Sequence, residues 1–208
     1  MAVAVLVLFA SMMLVIGAGR RQIQLHRTGD SGNRRTWRPD GSLEWWALAT
    51  ADLGYLTLGL GAPVADLAGL APIPVLDEPV VAGFGVAVAV LGIMWTLAAQ
   101  LSLGASWRIG IDGAEHTDLV THGSFRVVRN PIFAAVIVTF LGMTLMVPNL
   151  VSLAGAVVTV IGVQVQVRFA EEPYLRRIHG AAYTEYASHV GRFLPGIGRL
   201  HTEHQSRA

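Results

Sequence analysis

At 208 residues, 53% of them hydrophobic and only 14% charged, with a mean hydropathy of +0.53, the chain is too apolar for a soluble domain of its length. It contains no cysteine, which excludes disulfides and thiolate-held zinc or iron–sulfur sites. The net charge of +1 is uninformative as a total, whereas the distribution of charge along the chain is not.

Residues 2 to 18 form the first apolar run. No positive charge precedes it and Arg20-Arg21 follow it, the wrong polarity for a cleaved secretory signal and the right one for a helix entering from outside. The stretch RRQIQLHRTGDSGNRRTWRPDG then reads as a membrane-surface loop facing anionic headgroups, rather than as a nucleic-acid contact. Residues 43 to 61 are the least pure apolar run, carrying Asp52 and several glycines. An acid at that depth faces protein or water, and Tyr55 is its candidate partner. Trp45 and Trp46 fit an inner aromatic belt. GLGAP at 59–63 does not follow a strand and is no dinucleotide fingerprint; small residues here suit close helix packing. Residues 79 to 101 form the third run, and 131 to 147 and 150 to 167 the last two. Pro148-Asn149 between those two predicts a tight antiparallel hairpin. At about 1.5 Å per residue, each run covers most or all of a hydrocarbon core about 30 Å thick.

Arginine sets the orientation. All fifteen basic residues are Arg, confined to 20–38, 108–129 and 168–207, while the 62–78 connection carries only Asp66, Asp77 and Glu78. Five crossings with the N-terminus outside bring all three Arg segments to the cytoplasm. The predicted fold is therefore an all-α integral membrane protein with one membrane domain over 1–208. It has five transmembrane helices, N-out and C-in, and a cytoplasmic amphipathic helix at the C-terminal end. A multi-pass protein of the cell (inner) membrane with a cytoplasmic site is expected.

The soluble pieces, 102–130 and 168–208, are too short for a nucleotide-binding domain, so a site belongs where they meet the helix ends. Pro131 suits the first turn of a helix and Asn130 its N-cap, leaving the free N–H groups of that turn to a polar or anionic ligand. Arg129 and Arg168 face the same boundary, either to hold a substrate carboxylate or phosphate or to anchor helix ends. Glu171, just beyond the fifth helix, is placed to meet a positive group; Glu171-Glu172 otherwise suit pairing with Arg176 or Arg177. Trp107-Arg108, in the connector, are candidates to cover the site. Tyr183, Tyr186 and Val190 suit packing of the terminal helix. The histidines have no metal spacing, and no metal is expected.

The second half carries a resemblance. Leu119-Val120-Thr121, Gly123, Phe125, Arg129-Asn130-Pro131, a hairpin, then Glu171-Glu172, Gly180, Tyr183, Tyr186 and Arg192 to Pro195 stand in one order. This resembles the isoprenylcysteine carboxyl methyltransferase family and its phospholipid-methyltransferase-like relatives, over about residues 100–198. Asn130 replaces the family's usual histidine, Phe125 and Phe133 its tyrosines, and His179 an aromatic. Asn keeps a donor and an acceptor but does not titrate near neutral pH. The resemblance implies S-adenosyl-L-methionine as cofactor, lined by Thr117, Asp118, Leu119, Val120, Phe125, Asn130, Pro131, Ile132 and Phe133. Glu171 would meet its amino group, while Arg129 and Arg168, by their position at the boundary, are the candidate catalytic residues. It also implies a methyltransferase of a lipophilic or membrane-delivered acceptor (carboxylate, thiol or amine), with membrane lipids, and neither nucleic acid nor metal, as partners. An NADPH-dependent reductase of the sterol-reductase type and a non-catalytic scaffold are the alternatives.

Overall fold

The computed structural model describes residues 1–36, 38–110 and 118–200. Among them there are helices and short 3₁₀ turns but no strands, only isolated bridges. The helices are α1 (Ala2–Thr28), α2 (43–67), α3 (Pro79–Ser102), α4 (Pro131–Met146) and α5 (Leu150–His189). Three of these, α1, α3 and α5, are long and apolar enough to cross a membrane. α4 is apolar but has 16 residues, about 24 Å of helix, and Asp52 interrupts the apolar character of α2.

The starts follow local chemistry. Ser42 caps α2, its Oγ accepting from Trp45 N at 3.0 Å. Pro79 and Pro131 open α3 and α4 with their missing N–H in the first turn. Asn149 and Ser152 form a reciprocal capping box at α5. Asn149 Nδ2 also donates to Ala62 O at 3.0 Å, tying the turn to α2.

The hairpin turn is tight, as expected, but its arms lean on other helices more than on each other. Glycine decides this. On the α3–α4 side, a Cβ on Gly92 would lie 2.8 Å from Thr139 N, and one on Gly142 would lie 2.5 Å from Ala89 N. On the α2–α5 side, a Cβ on Gly162 would lie 2.4 Å from Ala51 N. Lipid removes the hydrophobic drive between helices, so close backbone packing is what holds them together. Gly162→Ala is expected to destabilise the protein by about 1–3 kcal/mol, because the obstacle is backbone that cannot rotate away. A thermal melt in detergent reads the effect, and an unchanged melt would mean that α2 and α5 shift freely.

Aromatic rings fill the centre. Tyr55 stacks on Phe140 with centroids 5.0 Å apart, and Phe9 meets the same ring at 6.3 Å. Val5, Met12, Leu58, Val136 and Met143 complete the buried cluster. Tyr55 is thus a packing partner of α4.

The polar connections are docked rather than loose. Arg20, fully buried, donates to Gly104 O at 2.7 Å and lies over the Trp107 ring at 4.7 Å, while Gln24 Nε2 reaches Ala105 O at 2.8 Å. Gly32 packs against Trp107, where a side chain would crowd its ring and carbonyl. Backbone bonds Ile109 N to Gly32 O and Arg34 N to Ile109 O join the 30s loop to the connector. Trp107, expected over the site, is instead the buried centre of this clamp. Asp52 finds its partner in Arg35, at 2.6 Å, and not in Tyr55.

α5, about 60 Å long by its 40 residues, outruns any bilayer, so its second part lies beyond the membrane-crossing length. A π-helical segment, Gln166–Glu171, marks the end of its apolar run. Gly180, with φ +52° and ψ −124°, then kinks it.

Candidate active site

Three of the resemblance's motif pieces converge where α4 begins and α5 ends. Val128 pairs with Gly191 in a parallel bridge, Arg129 N donates to Gly191 O at 2.8 Å, and Asn130 N to Arg192 O at 3.0 Å. The loop before α4 is thereby sewn to the segment after α5. Tyr186 adds a bond from its hydroxyl to Phe125 O at 2.6 Å.

Glu172 is the keystone of this junction, only 2% exposed. Arg129 Nη2 donates to its Oε1 at 2.8 Å, and Arg192 donates to Oε1 and Oε2, each at 2.8 Å. Arg176 stands 3.8 Å away, one helical turn on, as its spacing suggested. Burial works against the Glu172 charge, but hydrogen bonds from Arg192 and Arg129 outweigh it and hold the carboxyl below its ordinary range. Arg129 also donates to the carbonyls of Ala187, Val190 and Gly198. Its guanidinium is thus occupied by the protein itself.

Glu171, the adjacent residue, faces a different environment. Its partner is Gln166, whose Nε2 stands 3.5 Å from Oε1. Burial pushes its carboxyl up to about 7, and the charges of Glu44 and Glu172 push the same way while the Gln166 contact opposes them. Asp52 and Arg35 on the α2 side and Glu171 on the α5 side all lie within electrostatic reach of Tyr55.

The other expected residues are distributed as follows. Asn130 occupies the N-cap position of α4, but its side chain does not cap; Nδ2 donates to Arg192 O at 3.3 Å instead. Pro131 is buried, and Ile132 and Phe133 are half-buried on the next turn. Phe125 is buried, Leu119 and Val120 are half-buried, and Asp118 is exposed. Thr117 lies outside the described residues. Arg168 is exposed, its Nε bonded to Gln164 Oε1 at 2.9 Å, so the two arginines expected to act together stand in opposite environments. The pairing of Glu172 with Arg129 and Arg192 was not foreseen, although all three lie in the motif. No spacing in the sequence announces it, since Arg129 and Arg192 lie 43 and 20 positions from Glu172 while Arg176 stands one helical turn away.

Residues 80–182 match the model of the phospholipid methyltransferase family. Two curated relatives from Arabidopsis thaliana are similar to the chain. Protein-S-isoprenylcysteine O-methyltransferase A is 32% identical over 119 residues, and the B enzyme is 29% identical over the same length. Each match covers 56% of this chain and 60% of the relative's own length.

Proposed function

We propose that the protein is an S-adenosyl-L-methionine-dependent methyltransferase of the membrane, acting on a lipophilic acceptor delivered by the bilayer. The observation that carries this reading is the junction of Arg129, Glu172 and Arg192, which joins the motif pieces where apolar helices meet the cytoplasm. The topology that suits it is five crossings, N-out and C-in, with α2 and α4 completing the span through their packing on α5 and α3. The site then faces the cytoplasm.

The cofactor supplies an electrophilic methyl group on a sulfonium, so transfer requires alignment, dryness and neutralised charges rather than a protein nucleophile. The residues present fit such a group. Glu171 offers a carboxylate to an ammonium, and a buried amide oxygen on Gln166 stands beside it without a donor. Asn130 to Phe133, with Asp118 to Val120 and Phe125, supply the wall for the rest of the molecule. Arg129 acts as a positioning residue, holding the loop before α4 through Glu172. Arg168, exposed at the end of the apolar run and bonded to Gln164, is placed to meet an acceptor carboxylate or phosphate by exchanging that contact.

Calorimetry on the detergent-purified protein tests the reading. Micromolar binding of S-adenosylmethionine and S-adenosylhomocysteine with none of NADPH is the expected result. Binding of NADPH alone would move the protein to the reductases, and binding of none of the three would favour a scaffold.

A further inference from the structure

Gln166 is 1% exposed, at the first position of the π-helical segment that ends the apolar run of α5. Its Nε2 faces Glu171 Oε1 at 3.5 Å, the long limit of a hydrogen bond. Its Oε1, on the same planar amide, has no hydrogen-bond partner among the described residues. Buried acceptors are almost always satisfied, so an orphan one beside a carboxylate points to a group that arrives from outside the chain. π-helical segments inside α-helices occur often at functional sites, because the wider turn redirects side chains that would otherwise lie along the helix face.

The surroundings restrict what that group is. An orphan acceptor takes a donor, and the Glu171 carboxylate beside it favours one that carries positive charge. The chain contains no lysine and cannot supply an ammonium side chain itself. Of the arginines near this end of α5, Arg129 is held by Glu172 and three carbonyls, and Arg168 lies on the exposed surface of the helix, away from the buried Gln166 amide.

We propose that Gln166 Oε1 and the Glu171 carboxylate together seat the α-ammonium of the methyl donor's amino-acid end. This rests on the reading of the protein as a methyltransferase and adds to it a residue from outside the motif. Glu171 supplies the charge and Gln166 fixes direction, since an ammonium holds its donors at tetrahedral angles and needs acceptors on more than one side.

The test is calorimetric binding of S-adenosylhomocysteine and of its desamino analogue, in which hydrogen replaces the amine, to wild type, Gln166→Met and Gln166→Glu. Wild type is expected to prefer the amine-bearing ligand. In Gln166→Met, a substitution of similar length, affinity for S-adenosylhomocysteine is expected to fall about tenfold, while that for the analogue changes less than about twofold. Gln166→Glu, which keeps an acceptor in place, is expected to retain the preference. An equal loss for both ligands, or no loss for S-adenosylhomocysteine, would overturn the proposal and make Gln166 a packing residue. Failure of wild type to bind either ligand would overturn the methyl-donor reading itself and the ammonium seat with it.

Discussion

Glu172→Ala is expected to cost about 3–5 kcal/mol of stability, the largest effect of any single substitution considered for this protein. The loss is not that of one contact. Removing the carboxylate leaves Arg129, with its side chain 1% exposed, and Arg192, at 15%, with uncompensated charge at one junction. The carbonyls of Ala187, Val190 and Gly198 still accept from Arg129, so the segment 187–198 does not detach wholly. The expected readout is a large fall in the melting temperature and early proteolysis after residue 190. Glu172→Gln should cost less, since the amide oxygen still accepts from one arginine. A melt within a degree of wild type for Glu172→Ala would mean that the junction is not what fastens the C-terminal segment. Acid should mimic the substitution. A carboxyl whose folded value lies below its ordinary one gives stability that is complete above the ordinary value, and that is lost as pH falls through the depressed one.

The neighbouring substitution is expected to behave in the opposite way. Glu171→Gln should leave the melt unchanged or raised at neutral pH, and should weaken S-adenosylhomocysteine binding about 10- to 100-fold, the range for a hydrogen bond to a charged group. The sign follows from the carboxyl value of about 7, which is above that of the unfolded chain. Such a group binds more protons when folded, so its contribution to stability declines as pH rises from the ordinary carboxylate range to 7. Ligand binding runs the other way, because an ammonium needs the ionised form. Wild-type affinity is therefore expected to rise about tenfold between pH 6 and pH 8, following the ionised fraction of a group titrating near 7. Glu171→Gln should show a flat profile. A flat profile in wild type would remove Glu171 from contact with the ligand's amine.

That two adjacent glutamates differ so much has a geometric cause. Successive residues point about 100° apart around a helix, and the wider π-helical turn ending at Glu171 shifts the phase of the side chains at this place. One carboxylate is directed toward the α4 loop and the C-terminal segment, the other toward the α2 side. The first therefore meets arginines, whereas the second meets Gln166 and the field of Glu44.

The reading of the termini of α4 illustrates a different limit of sequence. Asn130 and Pro131 do begin the helix, as the pair suggested, since the proline's fixed φ and absent N–H act on the local backbone. The Asn130 side chain had two uses, however: capping its own helix, or donating to a carbonyl 62 residues away. Which it took depended on where Arg192 was brought.

By itself, then, the sequence determined what depends on neighbours along the chain. The apolar runs, their proline and asparagine boundaries, the hairpin turn and the second-half family pattern could all be read from it. Helix formation and burial in lipid depend on composition over a window, which is why they were legible. Tertiary structure alone decided the pairings: Arg35 with Asp52, Arg20 with Trp107, and Glu172 with residues 43 and 20 positions away. Those choices turn on side chains that are strangers in sequence and become neighbours only when glycine faces let the helices close on one another. An arginine's charge is fixed by its chemistry, but whether that charge faces a substrate or a buried carboxylate is fixed by the packing of helices far from it in the chain.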